Sequence, residues 1–94
     1  MPAVTRKGDL NSGHGAHPPV ALLSGSSDVF VNNIPCGRQS DPYPTHTDGN
    51  NTHAGNISGG SSTVFVNGKP IARVSDSVSC GGTVAQGSPN VNAN

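Results

Sequence analysis

Residues 63–76 read TVFVNGKPIARVSD, and this stretch decides the fold because a second copy occurs earlier in the chain, where residues 28–41 read DVFVNNIPCGRQSD. In each copy an alternating apolar segment leads into Asn-Gly or Asn-Asn, and a second short segment follows. Alternation is typical of β-strands, and Asn-Gly tolerates the positive φ angles that two-residue hairpin turns require. Each copy is therefore predicted to be a β-hairpin.

The two ends of the chain supply a third copy. Residues 90–94 (NVNAN) match the first strand, and residues 3–9 (AVTRKGD) match the second. If these ends meet, the chain forms three equivalent β-hairpins around a pseudo-threefold axis, with adjacent termini. An arginine precedes an aspartate by three residues in every copy, and this recurrence favours a structural role that pins each loop to the next hairpin. The pairs are Arg6/Asp9, Arg38/Asp41 and Arg73/Asp76.

Composition limits the remaining possibilities. The 94 residues predict a single domain over 1–94, and with 13 Gly and 8 Pro no segment sustains a helical period, so the fold class is all-β. Zero net charge and 11% charged residues argue against a nucleic-acid surface. Leu, Ile, Val and Phe make up just under a fifth of the chain, and such a lean core usually needs a metal, a disulfide or a partner.

The chain shows no sign of a membrane span or of secretion. No apolar run approaches the roughly 20 residues of a transmembrane helix, and residues 1–9 lack a signal-peptide core, so synthesis in the cytoplasm is expected. In a reducing compartment Cys36 and Cys80 are not expected to pair. Cys36 aligns with Ile71 and is therefore interpreted as a small core residue.

Strand alternation also predicts which side chains point inward. The apolar set common to the three copies is expected in the core: Val29, Val31, Val64, Val66, Val91 and Ala93. Phe30, Phe65 and Asn92 occupy the opposite face. The two phenylalanine rings either cover loops or contact a partner.

Three histidines and one cysteine fall at the loop apices of the repeats. His14 and His46 each lie five residues after a repeat aspartate, and Cys80 lies four residues after Asp76. His53 matches Cys80 when both are counted back from the following Gly-Ser-x-x-Val segment. Imidazole and thiolate share the ability to bind a borderline metal, so His14, His46, His53 and Cys80 are predicted to hold one structural Zn²⁺ tetrahedrally.

Other interpretations of these residues remain open. His17 fits neither register and is expected at the surface, although it is an alternative to His14 or His46 as a ligand. A small zinc hydrolase would need an open coordination position and a general base, and the chain has only five acidic residues. A free-standing metal-binding adaptor or storage protein is a further alternative.

These motifs together resemble the PAAR-repeat proteins over the whole chain. The Pro-Ala-Ala-Arg motif appears as PIAR at 70–73, as PCGR at 35–38 and as AVTR at 3–6. GHGAHPP at 13–19 resembles a segment of one subgroup, and SCGG at 79–82 resembles its last metal loop. The loop 41–53 departs from that subgroup because it lacks cysteines and keeps only His46 and His53.

The resemblance implies a small cone of β-strands that caps a trimeric β-helical spike, VgrG-like or of a phage tail, with one chain per trimer. Such a tip sharpens the spike of a contractile injection machine for membrane piercing, and a zinc ion near the point holds it together. The type VI secretion system and phage tails are such machines. The resemblance also implies that toxin effectors can be attached, and that the tip leaves the cell when the machine fires. No enzymatic activity is implied.

Overall fold

The structure, a computed structural model, describes residues 1–13, 18–44, 46–47, 52–53 and 55–94, with the backbone alone at 46–47 and 52–53. Within these described residues, six short strands pair as three antiparallel two-stranded sheets, β1 with β2, β3 with β4, and β5 with β6. They are β1 (Phe30–Val31), β2 (Ile34–Pro35), β3 (His46–Thr47), β4 (Thr52–His53), β5 (Phe65–Val66) and β6 (Lys69–Pro70). The described residues contain no helix, and thus none long and apolar enough to span a bilayer. The predicted all-β class is confirmed.

Both hairpins predicted from the repeated stretch are present. Phe30 pairs with Pro35 across β1–β2, and Phe65 pairs with Pro70 across β5–β6. Two positive φ angles in succession define a type I′ turn, whose twist matches that of the strands. The turn residues have this geometry: Asn32 at 55°, Asn33 at 66°, Asn67 at 54° and Gly68 at 78°.

The chain ends pair as the third copy predicts. Ala3 bridges Asn92 in an antiparallel register, the equivalent of Phe30 opposite Pro35. The amide of Val4 donates to the Val91 carbonyl, and the amide of Ala93 donates to the Pro2 carbonyl, each at 3.0 Å. The first and last segments are therefore two strands of one pairing.

Three backbone hydrogen bonds join the three copies in a closed ring. Thr5 donates to the carbonyl of Ala72 at 3.1 Å, Ala72 donates to Gly37 at 3.0 Å, and Gly37 donates back to Thr5 at 2.9 Å. The contact is close, since a Cβ added at Gly37 would lie 2.7 Å from the Thr5 Cγ2 atom. Only small residues fit three strands that approach this tightly.

Among the residues that the structure describes, the buried apolar side chains form two clusters. The hairpin core comprises Val4, Val31, Cys36, Val66, Ile71 and Ala93. The loop core comprises Leu22, Tyr43, Ile57, Ala72, Val78 and Val84, and Cys80 packs against it. The molecule measures 38 × 23 × 23 Å, so it is elongated with two equal short dimensions, which is consistent with a narrow cone.

The predicted inward face is right for one valine of each hairpin and wrong for the other. Val31 and Val66 are buried, and the rings of Phe30 and Phe65 lie on the exposed face. The same holds at the joined ends, where Ala93 is buried and Asn92 is exposed.

Val29 and Val64, however, are exposed by 38% and 36%. Each directly follows a turn capped by a serine hydroxyl, which accepts the valine amide at 2.9 Å. Both valines thus lie at the strand entrance, outside the hairpin core, where alternation no longer determines burial.

Each Arg-Asp pair binds within its own loop, and Arg6 and Arg38 also donate to the turn of the next hairpin, at Asn32 and Asn67. The amide of Asp41 donates to the Arg38 carbonyl at 3.0 Å, while the Arg38 guanidinium binds the Asp41 carboxylate at 3.1 and 2.9 Å. The other two pairs repeat this geometry. The residue before each aspartate has a positive φ typical of the third position of a type II turn: 91° at Gly8, 81° at Ser40 and 80° at Ser75.

Deleting residues 91–94 is expected to lower the free energy of unfolding by about 2–4 kcal/mol, because two backbone hydrogen bonds and the buried Ala93 side chain are lost. Urea unfolding followed by circular dichroism measures this loss. Asn92→Ser is the matched control, since Asn92 is exposed, and it should unfold like the parent chain. A truncated chain with an unchanged midpoint would contradict the pairing of the ends.

Candidate metal centre

The two cysteines lie in different surroundings. Cys36 is fully buried in the hairpin core, and burial raises the pKa of its thiol to about 11, so it stays protonated and unsuited to bind a metal. Cys80 is partly buried against the loop core, within a tight turn in which the Gly81 amide donates to the Val78 carbonyl at 2.9 Å. Both thiols are free. Cys80 is therefore the accessible sulfur donor.

One flank of Cys80 is the segment that follows His53. A Cβ added at Gly55 would lie 2.9 Å from the Cys80 sulfur, so the backbone two residues after His53 runs directly against the thiol. The Gly55 carbonyl accepts a 2.8 Å hydrogen bond from the amide of Tyr43, which fixes this segment on the loop core. The absence of a side chain at position 55 is what permits the approach.

The other flank of Cys80 is the segment that precedes His14. The amide of Ser12 donates to the Thr83 carbonyl at 2.8 Å, and the amide of Thr83 donates to the Ser12 hydroxyl at 3.0 Å. A Cβ added at Gly82 would lie 2.8 Å from the Gly13 carbonyl oxygen. Residues immediately before His14 and immediately after Cys80 are thus paired.

The backbone register adds a second histidine to this arrangement. His46 lies directly opposite His53 in the β3–β4 pairing. The side chains of these two histidines, and residues His14 and His17 entirely, lie outside the described part of the chain. Among the described side chains, no three of His, Cys, Asp or Glu are grouped as a metal site requires.

A buried position missed by the sequence analysis borders Cys80 and its neighbouring segments. Tyr43 is 2% exposed, and its hydroxyl has no hydrogen-bond partner in the described structure. Burial raises the pKa of this hydroxyl, so it remains a neutral donor.

The equivalent residue of the first repeat, Asn11, is also buried. Its side-chain oxygen accepts the amides of Gly13 at 3.1 Å and Val20 at 3.0 Å, tying together the residues that flank His14 and His17. Both residues lie two positions after a repeat aspartate, and Val78 follows Asp76 in the same way. This shared register is the signal by which the sequence could have revealed them.

The donor set suits a zinc ion. A partly buried thiol with imidazole-bearing segments converging on it is the combination that structural zinc sites use. An unpartnered hydroxyl in the adjoining core also suits a site that holds a negatively charged sulfur, because outer donors orient and stabilise such ligands. Cys80, the one predicted ligand whose side chain is described, thus suits a zinc ion.

A family model for the PAAR motif matches residues 12–86, which include both continuous hairpins and all four predicted ligands. The chain belongs to the PAAR-motif family. Proteins of this family are structural rather than enzymatic, and they generally sit on VgrG-type spikes. A search of curated proteins found no match to the chain.

Gly55→Ala is expected to destabilise the fold by about 1–3 kcal/mol, because the new methyl group would lie 2.9 Å from both the Cys80 sulfur and the Val78 Cγ1 atom. Gly59→Ala is the control, since its nearest neighbour would be the Ser77 amide nitrogen at 3.2 Å. Thermal unfolding should show the larger loss for position 55. Equal melting temperatures for the two variants would contradict the close contact between the Gly55 backbone and the Cys80 sulfur.

Proposed function

We propose that this PAAR-motif chain caps a trimeric β-helical spike, with one chain per trimer. The observation that carries the proposal is the ring of hydrogen bonds through Thr5, Gly37 and Ala72, which unites three repeat copies in one chain. Three similar hairpins arranged around one axis would present three similar edges, and a single chain can then match a threefold partner. Family membership supports the same partner.

The docking surface is proposed to lie at the hairpin end, meaning the end of the molecule that contains the hairpin core, away from Cys80. Phe30 and Phe65 occupy equivalent positions there and are 55% and 57% exposed, with Val29 and Val64 beside them. Repeated exposed apolar side chains on a small protein are typical of a contact surface. Because the net charge is zero, apolar contacts rather than electrostatic attraction are expected to dominate binding.

The opposite end, which contains the loop core and Cys80, is called the loop end. It is proposed to be closed by one structural Zn²⁺ held by His14, His46, His53 and Cys80. Support comes from the segments next to His14 and His53, which meet on either side of Cys80, and from the register that places His46 opposite His53. Four protein ligands would leave no position for a reacting water. The proposed role of the metal is therefore to hold the tip together.

In this proposal the protein is mounted at the tip of a contractile injection apparatus, with the loop end foremost. A narrow point concentrates force on a small area of the target membrane, and the 23 Å width suits that role. The chain would travel out of the cell with the spike and with any toxin effectors attached to it. The bacterial type VI apparatus and the phage tail are the two settings that this function fits.

Purified protein is expected to contain one zinc per chain, and Cys80→Ser should lose most of it. Removing zinc with a chelator should lower the melting temperature markedly, since binding energy at a structural metal is folding energy. Metal analysis and thermal unfolding measure both effects. Cys36→Ala is the control and should retain the metal, because Cys36 lies in the hairpin core. Full occupancy in Cys80→Ser would refute the proposed ligand set.

Mixing the chain with its cognate spike trimer is expected to give a complex of one chain per three spike chains, measured by native mass spectrometry. Phe30→Ser combined with Phe65→Ser should weaken binding by tenfold or more, since loss of two apolar anchors removes at least about 1.4 kcal/mol.

Leu23→Ser is the matched control for that pair, because Leu23 is equally exposed at 55% but lies outside the hairpins. Three chains per trimer would contradict the capping model. Normal binding by the folded phenylalanine variant would reject only the proposed surface.

A further inference from the structure

The turn of the β5–β6 hairpin is held by polar side chains of the preceding hairpin. The side-chain oxygen of Asn67 accepts the Arg38 Nη1 donor at 3.1 Å and the Ser26 hydroxyl at 2.7 Å. Its side-chain nitrogen donates to the Asp28 carboxylate at 2.7 Å. We call this group, Ser26, Asp28 and Arg38, the first asparagine-binding site.

The turn of the β1–β2 hairpin is held in the same way by the paired chain ends. The side-chain oxygen of Asn32 accepts Arg6 Nη1 at 3.1 Å and the Ser88 hydroxyl at 2.6 Å, and its nitrogen donates to Asn90 at 2.9 Å. Ser88, Asn90 and Arg6 form the second asparagine-binding site. Each site therefore offers two donors to a carboxamide oxygen and one acceptor to the carboxamide nitrogen.

The third repeat carries the same residues without an asparagine. Ser61 is 1% exposed and occupies the position of Ser26 and Ser88, while Thr63 replaces Asp28 and Asn90. Arg73 binds Asp76 and the Gly60 carbonyl through Nε and Nη2, but its Nη1 has no partner in the described structure. The Ser61 hydroxyl accepts the amides of Thr63 and Val64, and the one acceptor within its reach is the Thr63 hydroxyl at 3.3 Å in the described structure.

We propose that Ser61, Thr63 and Arg73 form a third asparagine-binding site, and that its ligand is the side-chain carboxamide of Asn94. By the roles of the equivalent residues at the other two sites, Arg73 Nη1 and the Ser61 hydroxyl would donate to the oxygen, and the Thr63 hydroxyl would accept from the nitrogen. The two occupied sites show that this donor set selects a carboxamide.

The register of the paired ends identifies Asn94 as the occupant. Asn92 lies opposite Ala3 as Phe30 lies opposite Pro35, so Ala93 is the equivalent of Val31 and Asn94 of Asn32. The hydrogen bond from the Ala93 amide to Pro2 keeps this register up to the residue before Asn94. Asn94 is exposed in the structure, and the proposed bond forms when its carboxamide turns onto the third site.

This site gives the end strand a specific anchor. Asn32 and Asn67 are already positioned by the tight turns that contain them, whereas Asn94 follows a strand whose partner, residues 2–4, is distant in sequence. A hydrogen-bonded carboxamide would replace part of that missing constraint and hold residues 91–94 in the ring. The site is independent of the proposed spike and zinc, so its test is a test of this inference alone.

A mutational cycle on the full chain tests the assignment. Urea midpoints are measured for the parent, Asn94→Ala, Ser61→Ala and the double variant, and the loss caused by Asn94→Ala is expected to be clearly smaller in the Ser61→Ala background, where only Arg73 and Thr63 remain as partners. The control cycle uses Asn67 and Ser26, which bond at 2.7 Å. Since Asn67→Ala also strains a positive φ of 54°, only the difference between its two backgrounds is compared.

Two results would overturn the proposal. One is an Asn94→Ala variant with the parent midpoint alongside a control cycle that shows coupling, and the other is an equal loss in both Ser61 backgrounds. If Ser61→Ala fails to fold, hydrogen exchange of side-chain amides by NMR decides. The Asn94 amide should then exchange several-fold more slowly than that of the exposed Asn92, and equal rates would reject the site.

Discussion

Three backbone hydrogen bonds through Thr5, Gly37 and Ala72 are the constraint on which the rest of the molecule depends. Each of the three segments donates to one neighbour and accepts from the other, so none of them is left as an unpaired edge at this level. The same closure forces small residues at these positions, because a Cβ at Gly37 would already meet Thr5. A ring of this kind compensates for a core with few large apolar side chains, since its stability comes from satisfied backbone groups as well as from burial.

A second layer of polar side chains keeps the hairpins in place around the ring. Ser26, Ser61 and Ser88 are almost fully buried, and each hydroxyl accepts two backbone amides at the entrance to a strand. A single such bond contributes only about 1 kcal/mol, but removing its acceptor would leave buried amides unsatisfied at a greater cost. The threefold repetition of these serines and of the Arg-Asp turns explains how a chain with so few apolar residues maintains a defined fold.

The sequence predicted what depends on local geometry and on the repeat register. Asn-Gly and Asn-Asn identified two hairpins, and the match of residues 90–94 to a first strand identified the pairing of the ends. What it did not predict depends on which copies become neighbours. The bond from Arg6 to Asn32 and that from Arg38 to Asn67 span 26 and 29 residues. These residues become partners only because of the order in which the three copies follow one another around the ring. Alternation likewise failed at Val29 and Val64, because a serine-capped turn, not the strand, sets their orientation.

The two cysteines show how position in this fold gives two identical side chains different roles. Cys36 replaces an apolar residue of the hairpin core, where low polarity keeps its thiol protonated. Cys80 lies directly beside Gly55, and its own loop approaches Gly13 through Gly82. A side chain at either glycine would collide with these neighbours. Glycine therefore brings the flanks of His14 and His53 together by backbone packing, before any ligand bond is considered. A metal bound there would further stabilise segments that backbone packing already holds together. Removing the metal should therefore destabilise the loops around Cys80 first, while the hydrogen-bonded ring keeps the hairpins folded.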